Sequence, residues 1–119
     1  MEEPHPPPCT EAGLSDPGPM DEARIALIAR ALAHPARVRI VEQFAECTPH
    51  ITKEIVGECE LAQSTVSEHL RILREADVVF ARKDGPRTWY CLRRSVLCGF
   101  ARAVEGLSAE APLLSHRRA

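Results

Sequence analysis

The stretch that most constrains this chain is Leu61 to Val79, LAQSTVSEHLRILREADVV. A small polar cluster opens it, and Val66, Leu70 and Leu73 recur at helical spacing with Ile72 beside them. The β-branched pair Val78-Val79 closes it. The pattern predicts a helix over about Gln63–Ala76, with one apolar stripe to pack on a domain. Thr65 and Glu68 have the separation of a capping box. The polar face carries Gln63, Ser64, Thr65, Ser67, Glu68, His69 and Arg71. Small hydroxyl residues in a first turn let a backbone approach the floor of a DNA groove. Gln can pair with adenine there, and Ser or Thr with several base edges. His69 and Arg71 fall nearer the rim and suit phosphate. Glu68 either accepts from a cytosine amino group or caps the helix start. A merely solvated amphipathic helix would read the same way, so its surroundings must decide.

Those surroundings predict four more helices, a β-hairpin between the last two helices, and two tails. Residues 1–19 hold six of the ten prolines, together with acids and no Lys or Arg. Such a stretch buries too little apolar area to offset chain entropy and is expected to be a disordered, Pro-rich acidic tail. Residues 20–109 then form one domain. Asp21 and Glu22 suit a helix start, and Ile25, Ile28, Ala29 and Leu32 follow at helical spacing. Pro35 ends that helix and suits the first turn of the next, over Ala36–Ala45, where Val38, Val41 and Phe44 recur every third residue. Thr48-Pro49 breaks the chain, and Thr52–Cys59 reads as a short helix with Ile55 and Val56 inward. After the opening helix, Val78–Arg82, the turn Asp84-Gly85-Pro86 and Thr88–Leu92 read as a β-hairpin, with Tyr90 and Leu92 on one face. Ser95 is placed to cap a last helix to about Ser108, lined by Val96, Phe100 and Val104 with Leu97 and Leu107 beside them. Residues 110–119 read as a flexible tail. The fold class is therefore mainly α with a β-hairpin, in the order ααααββα. A short helix, a tight turn and a longer helix make a helix-turn-helix, and the hairpin makes it winged.

Charge agrees with this only locally. The whole chain carries −2, but residues 1–20 hold four acids and no base, leaving 15 basic against 13 acidic residues beyond them. From Ser64 to Arg94 seven basic residues face four acidic ones. A basic face of this kind attracts phosphates, although on charge alone it equals any solvated surface. Arg82, Lys83 and Arg87 flank the hairpin turn and are placed to touch a DNA backbone or enter its minor groove. No segment reaches the roughly 20 apolar residues of a membrane span, and the N-terminus lacks a secretory pattern. The expected location is cytoplasmic. No phosphate-cradling glycine motif occurs, and His69 has no nucleophile and carboxylate around it, so no enzyme is expected.

At this point the residues resemble a family. ALAHPARVRIVEQF at Ala31–Phe44, then LAQSTVSEHLRILREADVV, then RKDGPRTWYCL are similar to the ArsR/SmtB regulators over about Asp21–Val104. The resemblance implies a homodimeric winged-helix repressor joined through its first and last helices. Such a repressor sits on double-stranded palindromic operator DNA and leaves it when a metal, metalloid or other effector binds. The apolar seams Ile25–Leu32 and Val96–Leu107 look like the dimer surfaces.

Two metal sites familiar in that family are not matched. The positions of a Cys-x-Cys pair fall at His50 and Thr52, or one residue along, where neither thiol is present, and the last helix has no histidine before His116 and only Glu105 as an early carboxylate. The thiols of Cys91 and Cys98 remain, with six residues between them across a strand-to-helix turn. Cys98 beside a helix N-terminus, Arg93 and Arg94 would favour thiolate, and thiolates select soft ions. Trivalent arsenic, as arsenite or as a methylated or organic arsenical, is the favoured effector. Inorganic arsenic needs a third thiolate, from Cys59, Cys47 or a dimer partner, whereas a mono-organoarsenical needs two. Three alternatives stay open. Cys47 and His50 with His5 and Cys9 from the tail could hold a zinc- or cadmium-type ion. Cys91 and Cys98 could form a redox disulfide. The chain could also handle thiols or metals without binding DNA.

Overall fold

A computed structural model describes residues 10–44, 50, 51, 55 and 61–109. Its helices are α1 (Glu22–Ala31), α2 (Pro35–Glu42), α3 (Gln63–Glu75) and α4 (Arg94–Ser108), and its strands β1 (His50–Ile51), β2 (Val79–Asp84) and β3 (Arg87–Leu92). Asp21 caps α1 by accepting from the Arg24 N–H at 2.9 Å. His34 caps α2 in the same way, its Nδ1 accepting from the Ala36 N–H at 3.1 Å. Pro35 follows at the first helical position, where its missing N–H costs nothing. The predicted helix over Thr52–Cys59 lies outside the described residues except at Ile55, which is helical and fully buried.

One core gathers Ile28 and Ala31 from α1, Ile40 and Phe44 from α2 and its exit, and Ile55. Val66, Leu70 and Leu73 from α3 join it, with Val78, Val79, Leu92 and Val96 closing the far side. The stripe expected on α3 is thus the buried one. On α2 and its exit the buried positions are Ala36, Ile40 and Phe44, an i, i+4, i+8 set, while Val38 is 42% exposed. The every-third-residue reading of Val38, Val41 and Phe44 drifts off the helix face, because 3.6 residues per turn favours steps of four here.

α3 ends in a Schellman motif. The Asp77 N–H donates to the Arg74 carbonyl at 2.9 Å and the Val78 N–H to the Leu73 carbonyl at 2.9 Å. Asp77 takes φ +62°, the left-handed position usually given to glycine. Its carboxylate meets Arg24 of α1 at 3.2 Å and Arg93 at 4.0 Å.

The hairpin turns on Gly85, whose φ of +63° suits the first central position of a two-residue turn, with Pro86 second. The wing is wider than the sequence predicts. β1 adds a third antiparallel strand beside β3, with His50 opposite Tyr90 and Ile51 opposite Trp89, giving the order β1-β3-β2. Two residues are too few to show an alternating pattern. These elements make a winged helix-turn-helix. Among the described residues no helix is long and apolar enough to cross a membrane.

Residues 10–19 carry no helix or strand. They run against the wing and the start of α4. Arg82 Nη2 donates to the carbonyls of Thr10 at 2.7 Å and Ala12 at 3.1 Å. Arg93, 7% exposed, donates through Nε to Glu11 Oε1 at 3.1 Å and through Nη2 to the Ser15 carbonyl. Arg24 Nη1 donates to the Pro17 carbonyl. α4 starts at Arg94, not at a Ser95 cap, and the helix has no side-chain cap of its own. Instead Glu11 accepts from the Ser95 N–H at 3.0 Å and from its hydroxyl. A carboxylate from 84 residues away thus performs the capping role at this helix N-terminus.

Candidate nucleic-acid interface

α3 is seated by its apolar stripe on the core, with α1, α2 and β2 packed against it. That seating leaves Gln63, Ser64, Thr65, Ser67, Glu68 and Arg71 exposed. Ser64, Ser67 and Arg71 lie opposite the buried Val66, Leu70 and Leu73, and Gln63 and Thr65 widen this face in the first turn. The helix begins after Ala62, with no side-chain cap. The capping box of Thr65 and Glu68 is therefore not formed, and Glu68 holds Arg71 instead.

Arg71 lies in a carboxylate fork. Its Nε reaches Glu68 Oε1 at 3.1 Å, its Nη2 the other Glu68 oxygen, and its Nη1 Glu75 at 2.6 Å. The Arg71 bond holds the Glu68 carboxyl below its ordinary pKa of 4.5. The bonds from Glu68 and Glu75 hold the Arg71 guanidinium above its own. Both side chains of the first pair are more than half exposed, so the fork is easily opened by a competing phosphate.

His69 is not at the rim. It is 8% exposed and faces α2, where its Nδ1 accepts from Arg37 Nε at 3.1 Å. Its ring lies 4.8 Å from that of His34, tilted by 59°. The same Arg37 donates through Nη1 to the carbonyls of Arg30 and Ala31, each at 3.4 Å, at the end of α1. Arg37 thus ties three helices together, a role not assigned to it from the sequence. The signal lay in the segment His34-Pro35-Ala36-Arg37, which supplies both the cap and the tie.

On the wing, Lys83 and Arg87 are exposed at the tip and make no ion pair among the described residues. Arg82, expected with them, is turned away. Strand alternation puts it on the face shared by Phe80, Trp89 and Cys91. There its guanidinium lies 5.3 Å from the Phe80 ring centroid and binds the segment at Thr10 and Ala12.

The two thiols expected as partners have different surroundings. Cys91 is fully buried and Cys98 exposed, and neither forms a disulfide. Cys98 shares a shallow apolar groove with Leu92, Arg94, Leu97 and Ala101. Leu92 and Cys91 are neighbours on a strand and so point to opposite faces. With α4 starting at Arg94, Cys98 is in the second turn, and it is the Ser95 amide that faces Glu11. Among the described residues no three His, Cys, Asp or Glu side chains cluster to hold an ion. Cys47, Cys59, Cys9 and His5 lie outside the described residues. Of His50, only the backbone pairing with Tyr90 is described.

Comparison with known proteins bears on the whole arrangement. The family described as "Bacterial regulatory protein, arsR family" matches residues 34–80, from the α2 cap to the second residue of β2. The HTH-type transcriptional regulator Rv0081 of Mycobacterium tuberculosis is 38% identical over 53% of this chain, which spans only 55% of that protein. Its crystal structure superposes with a TM-score of 0.57 at 34% identity, over 70% of this chain and 84% of that one. The biofilm growth-associated repressor of Agrobacterium fabrum is 34% identical over 71% of this chain and 69% of its own length. The homodimeric winged helix-turn-helix DNA-binding domain Mb0332 of Mycobacterium bovis has a TM-score of 0.60 at 24% identity, covering 82% and 89% of the two chains. That last likeness bears on the fold alone.

Proposed function

Because the chain belongs to the arsR family of bacterial regulatory proteins, we propose that it is a cytoplasmic transcriptional repressor that binds a palindromic operator as a homodimer. One observation carries this reading. The side of α3 opposite its buried stripe is a polar surface of Ser64, Ser67, Glu68 and Arg71, widened in the first turn by Gln63 and Thr65. Two such helices related by a twofold axis would enter successive major grooves. Lys83 and Arg87 at the wing tip would meet flanking phosphates. The exposed Leu27 of α1 and Val104 and Leu107 of α4 supply an apolar surface for the partner. The repressor named from Agrobacterium supports the reading of a repressor.

The signal we propose is a thiophilic effector, with trivalent arsenic favoured, entering at Cys98. Its groove is open and apolar, which suits the organic group of a methylated or organic arsenical. Recruiting Cys91 as the second thiolate requires the Leu92–Arg93 turn to open, which would shift the wing against α4. That coupling favours the DNA-released state only if the effector binds it more tightly than the bound state. A zinc or cadmium ion, or oxidation of the same thiols, would act through the same junction.

The experiment replaces Gln63, Ser64 and Ser67 together with alanine. Operator affinity should fall at least tenfold, since each lost base contact is worth about 1–3 kcal/mol, with the fold unchanged by circular dichroism. Unchanged affinity would remove the helix from the interface and leave a thiol- or metal-handling protein as the better reading. Release of DNA is then titrated with arsenite, methylarsenite, cadmium, zinc and peroxide on the parent, Cys91→Ser and Cys98→Ser. If both variants respond like the parent, the effector acts elsewhere.

A further inference from the structure

We infer that His69 is the positioning residue of the recognition helix: its neutral imidazole accepts from Arg37 to seat α3 on α2, so that taking up a proton unseats the helix and weakens operator binding. This rests on the DNA-binding reading above.

The hydrogen-bond chemistry fixes the protonation state. A guanidinium only donates, so the Nδ1 that receives Arg37 Nε at 3.1 Å must carry a lone pair. A proton there sets donor against donor and cation against cation. Arg37 is not free to turn away, because it also bonds the carbonyls of Arg30 and Ala31. Nor does His34 offer an acceptor on Nδ1, which already receives the Ala36 N–H.

The groups facing His69 among the described residues are Arg37 of α2, His34 at its cap, and Glu68 from its own helix. α1 and β2 also pack on α3 and add no charged side chain there. Glu68 is the one attractive group, and it is engaged by Arg71. Burial, His34 and Arg37 together hold the imidazole below its ordinary pKa of 6.5. The sign follows. A conformer in which His69 has swung into water binds a proton more readily than the seated one. Seating is complete above pH 6.5 and is lost as pH falls below it. Ser67 and Arg71 lie within one turn of His69 and move with it. Apparent operator affinity is reduced by the fraction of molecules still seated.

The test is operator affinity by fluorescence anisotropy at fixed salt from pH 8 to 5.5, on the parent and on His69→Asn. The Asn Oδ1 reproduces the acceptor and cannot titrate in this range. The parent should weaken several-fold below pH 6.5, approaching at most about tenfold per pH unit for one proton. His69→Asn should match it at pH 8 and show a flatter profile. A variant whose profile follows the parent's would overturn the inference. Unfolding by urea over the same range reads the seating without DNA. There too the parent should lose stability below pH 6.5 relative to His69→Asn. If the parent fails to bind at pH 8, the DNA-binding reading falls, and the urea comparison still decides the role of His69. Should His69→Asn not fold, the parent's own His69 ring, followed by NMR, must titrate below the ordinary histidine range. Titration at or above that range would overturn the inference.

Discussion

Asp77 shows how much a single residue can hold here. It accepts a left-handed φ of +62°, closes α3, and gives its carboxylate to Arg24 and Arg93. Asp77→Ala should lower the unfolding free energy by about 1–2 kcal/mol, from backbone strain and the lost pairing together. Asp77→Asn tolerates the same φ and should recover the backbone share only. Urea unfolding of the pair separates the two contributions, and equal losses would mean that the charge alone matters. Residues of this kind were unevenly legible. Val66, Leu70 and Leu73 follow from period alone. His69 lies three residues after Val66 and four before Leu73, spacing that places it on the buried stripe, yet its polarity argued it outward. Arg82 was drawn to the DNA by its charge and its place near the turn. Strand alternation turns it to the face of Phe80 and Trp89, and the distant backbone that it binds there is not visible locally.

At the scale of elements, the segment of residues 10–19 lies against the wing and the start of α4. Its composition argues for disorder, because it buries little apolar area. What holds it is polar: Arg82, Arg93, Arg24 and the Ser95 end of α4 all bond to this segment. Burial works to raise the Glu11 carboxyl's pKa, but the Ser95 bonds and Arg93 outweigh it and hold the group below its ordinary 4.5. The stability it contributes is therefore present above pH 4.5 and lost as pH falls through the lower folded value. Glu11→Gln should cost about 1–2 kcal/mol at pH 7, between the values for exposed and fully buried pairs, because it leaves the mostly buried Arg93 short of charge. The difference from the parent should shrink below pH 4. A constant difference down to pH 3 would separate the loss from the carboxylate's charge. The hairpin, by contrast, was legible because Asp84-Gly85-Pro86 dictates a turn. β1 was not, since two paired residues carry no pattern.

For the whole molecule, the fold follows from the order of its elements, and the open question is what covers the apolar ends of α1 and α4. Leu107 is 76% exposed and Val104 and Leu27 each 41%. Replacing Val104 and Leu107 together with glutamate should shift sedimentation from dimer to monomer with little change in helix content. It should also lower operator affinity by more than tenfold, because half-sites then bind without linkage. A variant that stays dimeric would place the interface elsewhere. The central claim, that this molecule reads DNA, is tested most directly by affinity for its own upstream palindrome against a shuffled duplex of equal length, between about 50 and 200 mM salt. The account predicts a preference of at least about a thousandfold for the palindrome and log affinity falling linearly with log salt. Equal affinity for the two duplexes at every salt concentration would contradict it.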